Sequence, residues 1–128
     1  AGGALGALFR YGIDRGFEAV LGYSTITGIF AINVSGAFLL GVLVSASWSY
    51  SLPNPEARLF LSTGLLGSYT TFSTLAVSTT QFAESGDITR AALNILGSVV
   101  IGVAAAFAGR STSSSKTNEL VESVAPSE

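Results

Sequence analysis

The charged residues of this chain are confined to short segments, and the long stretches between them carry no charge. Residues 19–55, 59–83 and 91–109 contain no Asp, Glu, Lys or Arg. A helix needs about 20 apolar residues to cross the hydrocarbon of a bilayer, so each stretch is long enough to form a membrane span. Soluble domains carry about 25% charged residues, whereas this chain carries 11%. These features predict a membrane protein with almost no soluble mass.

Turn residues divide the apolar sequence into four predicted spans. The first covers residues 1–13 and precedes the charged residues Asp14, Arg15 and Glu18. Residues 25–48, 57–82 and 88–109 supply the other three spans. A Pro-Asn-Pro turn at 53–55 and a polar turn at 84–87 separate them, and we expect Asp87 to cap the last helix. The sequence therefore predicts an all-α membrane protein with four transmembrane helices per subunit, a multi-pass arrangement.

The composition of the chain changes after residue 109. Residues 110–128 are rich in Ser and Thr, contain scattered acids and show no periodic apolar stripe. Such segments bury too little apolar surface to offset the entropy lost on ordering. The sequence predicts a four-helix transmembrane domain over residues 1–109 and a disordered C-terminal tail over residues 110–128.

The residue types present exclude several kinds of function. With no Cys and no His, the chain has no thiolate or imidazole, and hydroxyls without a general base predict that it is not an enzyme. A net charge of −2 argues against a nucleic-acid partner. A small proton-coupled multidrug exporter remains a weaker alternative. That mechanism requires an intramembrane carboxylate, and the second to fourth predicted spans contain none.

The Lys and Arg residues are nearly balanced between the two sides of the predicted bundle. Arg15 and Arg90 fall on one side, and Arg58, Arg110 and Lys116 fall on the other. A fixed orientation needs a clear excess of basic residues on the cytoplasmic side. The balance is therefore compatible with insertion in both directions, and hence with a dimer of oppositely oriented copies.

The third predicted span is unusually rich in glycine and hydroxyl side chains. It contains the run Gly64-Leu-Leu-Gly-Ser-Tyr-Thr-Thr-Phe-Ser-Thr74. One interpretation is close helix packing, which small residues permit in lipid. The other is a helix that unwinds and exposes backbone carbonyls able to hold a cation. Non-helical backbone is tolerated at membrane depth only where it is buried in protein or lines a watery space.

Several polar or aromatic side chains in the spans are candidates for contact with an ion. Asn33 is costly in hydrocarbon unless hydrogen-bonded, so it either ties two helices together or offers N–H donors to an anion. Asn94 and Ser98 allow the same two interpretations. Arg10 is either a functional intramembrane cation or a side chain that reaches the interface. Phe72 either packs in the core or presents its positive ring edge to an anion.

Three glycine-containing motifs lie in the first three spans. They are Gly3-x-x-Gly6-Ala7-x-x-Arg10-Tyr11, then Asn33-x-x-Gly36 followed by Gly41, and then Gly64-x-x-Gly67-x-x-Thr70-Thr71-Phe72-Ser73-Thr74. Together they resemble the signatures of the Fluc (CrcB) fluoride channels, in the same order, over about residues 1–109. The resemblance implies a channel in the inner (plasma) membrane that exports fluoride passively and lowers cytoplasmic fluoride. It also implies an antiparallel, dual-topology dimer with two pores.

The resemblance further implies roles for individual residues. The third helix would break at mid-membrane, where the backbone carbonyls of Gly67 and Thr70 would hold a structural Na+ at the dimer interface. Fluoride would pass near Asn33 and Phe72, with Arg10 on the vestibule side. Three hydroxyl residues would lie along or beside this path: Thr71, Ser73 and Ser98. The implied partners are fluoride, membrane lipid and a second subunit.

Three positions depart from the pattern of that family. Leu75 and Ser78 stand where members commonly carry Phe and Glu, and Ile29 stands where Thr is frequent. Each of those groups lines or borders a pore in the family. Some members work as pairs of unlike subunits. The sequence therefore leaves two assemblies open: a homodimer, or a heterodimer in which this chain is a pore-deficient partner of a homologous subunit.

Overall fold

The computed structural model describes residues 1–22, 26–48 and 54–124, and these ranges are helical apart from short connections. Four helical regions follow one another along the chain, as the sequence predicts. The third region is built from several consecutive segments. The helical segments are α1 (Gly2–Leu21), α2 (Ile26–Trp48), α3 (Pro55–Leu59), a π-helical segment (Phe60–Leu66), α4 (Gly67–Tyr69), α5 (Phe72–Glu84) and α6 (Ile88–Val124).

Two of the described helices are long and apolar enough to cross a membrane, judged by length and composition. The qualifying stretches are Gly28–Ser45 in α2, with a mean hydropathy of 2.0, and Ile88–Ser115 in α6, with 2.1. Only 11% of the α6 stretch is buried within the protomer, whereas a helix that is apolar all round in a soluble protein lies in the core. The apolar surface of α6 therefore faces outward, as expected of a helix in contact with lipid or with a second subunit.

The first and third predicted spans do not meet the same criterion, for different reasons. Helix α1 combines the apolar opening with four charged residues within its 20-residue length. The third region is divided into segments, the longest of which is the 13-residue α5. The four-span topology thus stays a prediction, supported by two helices that are able to span.

Helix α1 extends further than its predicted span of residues 1–13. The charged residues after Ile13 are part of the helix, because Arg15 forms an ion pair of 2.8 Å with Glu18 one turn later. The Arg15 guanidinium also lies 5.5 Å from the centre of the Tyr11 ring. Such i,i+3 and i,i+4 contacts stabilise a helix. The helix ends at Gly22, whose φ of 62° favours glycine.

Helices α2 and α6 pack with their backbones in direct contact. A Cβ added to Gly41 would overlap the carbonyl oxygen of Ala106, and one added to Gly109 would overlap that of Phe38. In lipid, where apolar burial drives helix association only weakly, small residues allow this close approach. Glycine at these positions therefore sets the distance between α2 and α6.

Helix α1 lies equally close to the π-helical segment. A Cβ added to Gly6 would overlap the carbonyl oxygen of Leu65, and one added to Gly2 would lie 2.9 Å from that of Phe60. A π-helix is wider than an α-helix, is rare, and is frequently found at functional sites. The glycines of the first motif therefore hold α1 against the segment that leads into the polar run.

Helix α6 begins as the sequence predicts but extends beyond its expected end. The N–H of Arg90 donates to Oδ1 of Asp87 at 3.0 Å, which confirms the predicted cap. The helix then continues to Val124, through residues for which the sequence predicts disorder. Adding residues to an existing helix avoids the cost of nucleation. The long apolar stretch of α6 is the existing helix to which these residues are added.

Hydroxyl side chains take part in this extension of α6. Ser111 donates to the carbonyl oxygen of Phe107 at 3.0 Å, and Thr112 donates to that of Ala108 at 2.9 Å. Bonds of this kind satisfy Ser and Thr hydroxyls within a helix, at a slight cost in helix stability. A composition typical of disorder is therefore compatible with the helix seen here.

Candidate functional site

Two extended residues, Thr70 and Thr71, separate α4 from α5. Thr70 has φ −77° and ψ 156°, and Thr71 has φ −148° and ψ 117°. The Thr70 hydroxyl donates at 3.1 Å to the carbonyl oxygen of Leu66, the residue before α4. The Thr71 hydroxyl accepts from the Thr74 N–H at 3.3 Å and so caps α5. Paired threonines thus satisfy polar groups on both sides of the interruption.

The side chain of Asn33 in α2 holds the extended backbone of Thr71 through two hydrogen bonds. Its Nδ2 donates to the Thr71 carbonyl oxygen at 3.0 Å, and the Thr71 N–H donates to its Oδ1 at 2.8 Å. The amide thus supplies partners that a continuous helix would have supplied itself. An asparagine Nδ2 carries two hydrogens, so one donor is left over.

This arrangement takes the helical partners away from two backbone carbonyls. In a continuous helix the Thr71 N–H would donate to Gly67 and the Thr74 N–H would donate to Thr70. Here these N–H groups donate to Asn33 and to the Thr71 hydroxyl. The carbonyl oxygens of Gly67 and Thr70 are the type of ligand that unwound membrane helices offer to monovalent cations. These two carbonyl oxygens therefore fit a Na+ ion as ligands.

The interrupted region opens on a groove of about 520 Å³ between α2, the third helical region and α6. Six of the eight residues singled out by the sequence line this groove: Asn33, Gly67, Thr70, Thr71, Phe72 and Ser98. Ser73 joins them through its hydroxyl, which lies 3.2 Å from that of Thr71. Arg10 is half-buried on α1 and lies outside the lining. The rest of the lining is largely apolar, so the polar groups are concentrated at the helix interruption.

Ser98 on α6 is the groove residue whose polar group has no partner among the described residues. Its side chain is 8% exposed and its Oγ makes no hydrogen bond. A buried hydroxyl without a partner costs about 1–3 kcal/mol. Its position in the groove lining therefore favours a polar ligand there. Asn94, one turn earlier on α6, instead donates to the Thr79 hydroxyl at 2.9 Å, which supports the helix-tying interpretation for Asn94.

Phe72 is the first residue of α5 and projects away from the protomer. Its side chain is 73% exposed, although it lines the groove on one side. A single exposed ring is common on a protein surface, and it is the place of Phe72 at the edge of the polar groove that makes it a candidate for contact with an ion or a second subunit. Phe72 therefore does not pack in the core of a single copy of the chain.

Three residues of the site escape the sequence analysis as functional candidates. Gly36 lies so close to Thr70 that a Cβ on the glycine would overlap the threonine methyl group. Tyr69 places its hydroxyl 2.9 Å from Oγ of Ser35. The sequence gives one weak indication of their importance, because all three residues lie within the glycine-containing motifs. Nothing in those runs indicates that the residues meet.

Comparison with known proteins identifies the family of the chain. The family model described as CrcB-like protein, Camphor Resistance (CrcB), matches residues 1–110. The chain belongs to this family. The assignment made from the three motifs is thereby confirmed, and it accounts for their spacing in the first three helical regions.

Individual members of the family are similar to this chain over most of their length. A fluoride-specific ion channel FluC of Nitrobacter winogradskyi is 44% identical over 112 residues, which cover 85% of this chain and 86% of the relative. Proteins of the same name from Geobacter sulfurreducens and Thermus thermophilus are each 39% identical, and the aligned residues cover 84% of this chain. They cover 86% and 84% of these two relatives.

Proposed function

We propose that this protein is a fluoride-selective ion channel of the cell's inner membrane, through which fluoride leaves the cytoplasm passively. The names of its relatives and their similarity over most of the chain support this function. The structural observation that carries the proposal is the groove in which Asn33 holds an interrupted helix open beside the unpartnered hydroxyl of Ser98. Such a protein transports an ion and catalyses no covalent reaction.

The groove offers the kinds of group that replace the water around a small anion. Fluoride is strongly hydrated, so a dry path must return hydrogen bonds to it. The second Nδ2 hydrogen of Asn33 and the positive ring edge of Phe72 can do so. Hydroxyl groups can add further donors along or beside the path: Thr71, Ser73 and Ser98. Arg10 would attract the anion electrostatically at the vestibule.

A dimer of oppositely oriented copies would complete the site. The near balance of Lys and Arg permits both orientations, and the exposed ring of Phe72 at the edge of the groove is available for contact with the second copy. The third helix would break at mid-membrane, where the carbonyls of Gly67 and Thr70 would hold Na+ at the interface between the copies. When bound, the ion would offset the field of a nearby anion in low dielectric. All four helical regions would then be in contact with lipid or with the second subunit.

A pore-deficient partner subunit of a heterodimeric channel is the second candidate function. Leu75 is buried and lines the groove three residues after Phe72, where members of the family commonly carry a second aromatic ring. Ser78 is also buried, and its hydroxyl donates to the Thr74 carbonyl oxygen at 2.7 Å. Leu75 therefore gives the groove an aliphatic side chain, and the Ser78 hydroxyl is bonded to its own helix outside the groove lining.

Fluoride release from liposomes tests the proposed function and separates the two candidates. Purified protein in liposomes loaded with KF or KCl is expected to release fluoride but no chloride, measured with ion-selective electrodes while valinomycin carries the K+. Release only after coexpression with a homologous subunit would favour the heterodimer. If neither preparation released fluoride, the channel function would be wrong.

Replacement of Phe72 tests whether its exposed ring belongs to the fluoride path. Phe72→Ala is expected to slow fluoride release at least about tenfold, equivalent to about 1.4 kcal/mol in the barrier. Phe107→Ala is the matched control, because Phe107 on α6 is similarly exposed, at 65%, but does not line the groove. Equal fluoride release rates for the two variants would show that the Phe72 ring is not part of the fluoride path and only packs against its surroundings.

A further inference from the structure

The Tyr69 hydroxyl is fixed by a side chain of α2. Tyr69 is 8% exposed, and its hydroxyl lies 2.9 Å from Oγ of Ser35. The Ser35 hydroxyl donates its only hydrogen to the carbonyl oxygen of Ile32 at 3.1 Å. Since a serine hydroxyl carries one donor and two acceptor positions, Tyr69 donates to Ser35 whenever the Ser35 hydrogen points to Ile32.

The rest of Tyr69 is held between two helices. A Cβ added to Gly36 of α2 would lie 3.1 Å from Cδ1 and 3.4 Å from Cε1 of the ring. On the opposite side, a Cβ added to Gly6 of α1 would lie 3.1 Å from the Tyr69 backbone nitrogen. The ring therefore lies over one glycine and the backbone over another, and little space remains for either to move.

Tyr69 lies directly before the interruption. It is the last residue of α4, and the extended residues Thr70 and Thr71 follow at once. Asn33 fixes Thr71 from α2, but it makes no bond to the residues before it. The Gly67 and Thr70 carbonyls thus lie between contacts on each side, and on the α4 side the Tyr69–Ser35 contact adds to the Thr70 hydrogen bonds with Leu66.

We propose that Ser35 and Tyr69 form a positioning pair for the carbonyl cation site, and that their hydrogen bond sets the affinity of that site for Na+. This inference rests on the proposed function, which places Na+ at the carbonyls of Gly67 and Thr70. Neither side chain touches the ion. The pair acts by restricting the backbone on which the ligands lie, because preorganised ligands lose less entropy on binding.

Thermal unfolding of the detergent-solubilised full-length protein tests the pair without measuring transport. An ion that binds the folded state raises Tm with concentration by mass action. NaCl is varied against choline chloride at constant ionic strength. Tyr69→Phe and Ser35→Ala are each expected to raise the Na+ concentration for half-maximal stabilisation about fivefold, the factor that corresponds to the loss of one buried hydrogen bond. The double variant should show the same shift, since both changes remove one interaction.

Tyr11→Phe is the matched control for the tyrosine. The Tyr11 hydroxyl accepts from Nε of Arg15 at 3.3 Å on an exposed surface, so its removal should leave the Na+ dependence unchanged. A lower Tm at every Na+ concentration, with the half-maximal concentration of the wild type, would show a merely structural role and overturn the proposal. If Tyr69→Phe fails to fold, Ser35→Ala and the hydroxyl-retaining Ser35→Thr provide the same comparison.

The outcome for the wild-type protein separates this inference from the function on which it rests. A wild type stabilised by Na+, together with variants of unchanged Na+ dependence, would overturn the positioning pair alone. A wild type with no Na+-dependent change in Tm would overturn the cation site and the pair together. Fluoride release from liposomes tests the channel function independently of either result.

Discussion

Replacing Asn33 with Ala is expected to abolish fluoride release. The change removes both hydrogen bonds that hold the extended Thr71 backbone. It leaves the N–H and the carbonyl of Thr71, a residue only 7% exposed, without their partners, at a cost of about 1–3 kcal/mol for each group. The remaining Nδ2 donor is lost as well. Fluoride efflux from liposomes, measured with an ion-selective electrode, checks the prediction.

A second substitution, Asn33→Asp, removes the donor groups of Asn33 and keeps its acceptor. In Asn33→Asp one carboxylate oxygen can still accept from the Thr71 N–H, but an ionised side chain donates neither to the Thr71 carbonyl oxygen nor to an anion, and it repels the anion. We expect this variant to fold and to conduct no fluoride. Asn94→Ala is the matched control, because Asn94 donates to Thr79 outside the groove lining, and it should keep a rate within about twofold of the wild type. Wild-type rates in Asn33→Ala would leave Asn33 as a tie between helices.

The sequence predicts the helical regions of this protein well where one physical signal dominates. Charge-free apolar stretches locate α2 and the first part of α6, and Asp87 marks the start of α6 as an N-cap. The ends of α1 and α6 are missed because charged or hydroxyl residues indicate loops or disorder by composition. In the structure, ion pairs and bonds to backbone carbonyls let the same residues continue a helix.

For the candidate site too, features set by neighbouring residues can be predicted from the sequence, whereas contacts between distant residues cannot. The density of Gly and hydroxyl residues around Thr70 and Thr71 is a local signal, and it marks the segment where the structure has extended backbone. The contact of Asn33 with Thr71 joins residues 38 positions apart. Periodicity indicates which face of a helix is apolar, but not which residue of a second helix lies opposite. Only the resemblance to a known family placed these residues in one site.

Replacing Gly36 with Ala is expected to abolish fluoride release and Na+-dependent stabilisation together. The added Cβ would overlap the methyl group of Thr70 and press on the Tyr69 ring at 3.1 Å. Alanine favours a helix by about 1 kcal/mol over glycine, so α2 itself should remain intact. The clash is instead relieved by displacing Thr70, whose carbonyl is a proposed ligand of Na+. Loss of both properties in a protein that stays helical by circular dichroism would locate the damage at the interruption.

Gly97→Ala on α6 gives the matched control for this change in backbone propensity. A Cβ added there has no atom within 4 Å, so the variant should conduct like the wild type and unfold at an equal or higher temperature. If Gly36→Ala conducted equally well, Thr70 would have moved aside without consequence for the ion path. In that case the close approach of α2 to the interruption would serve helix packing alone, and the tight placement of the carbonyls would not be needed for transport.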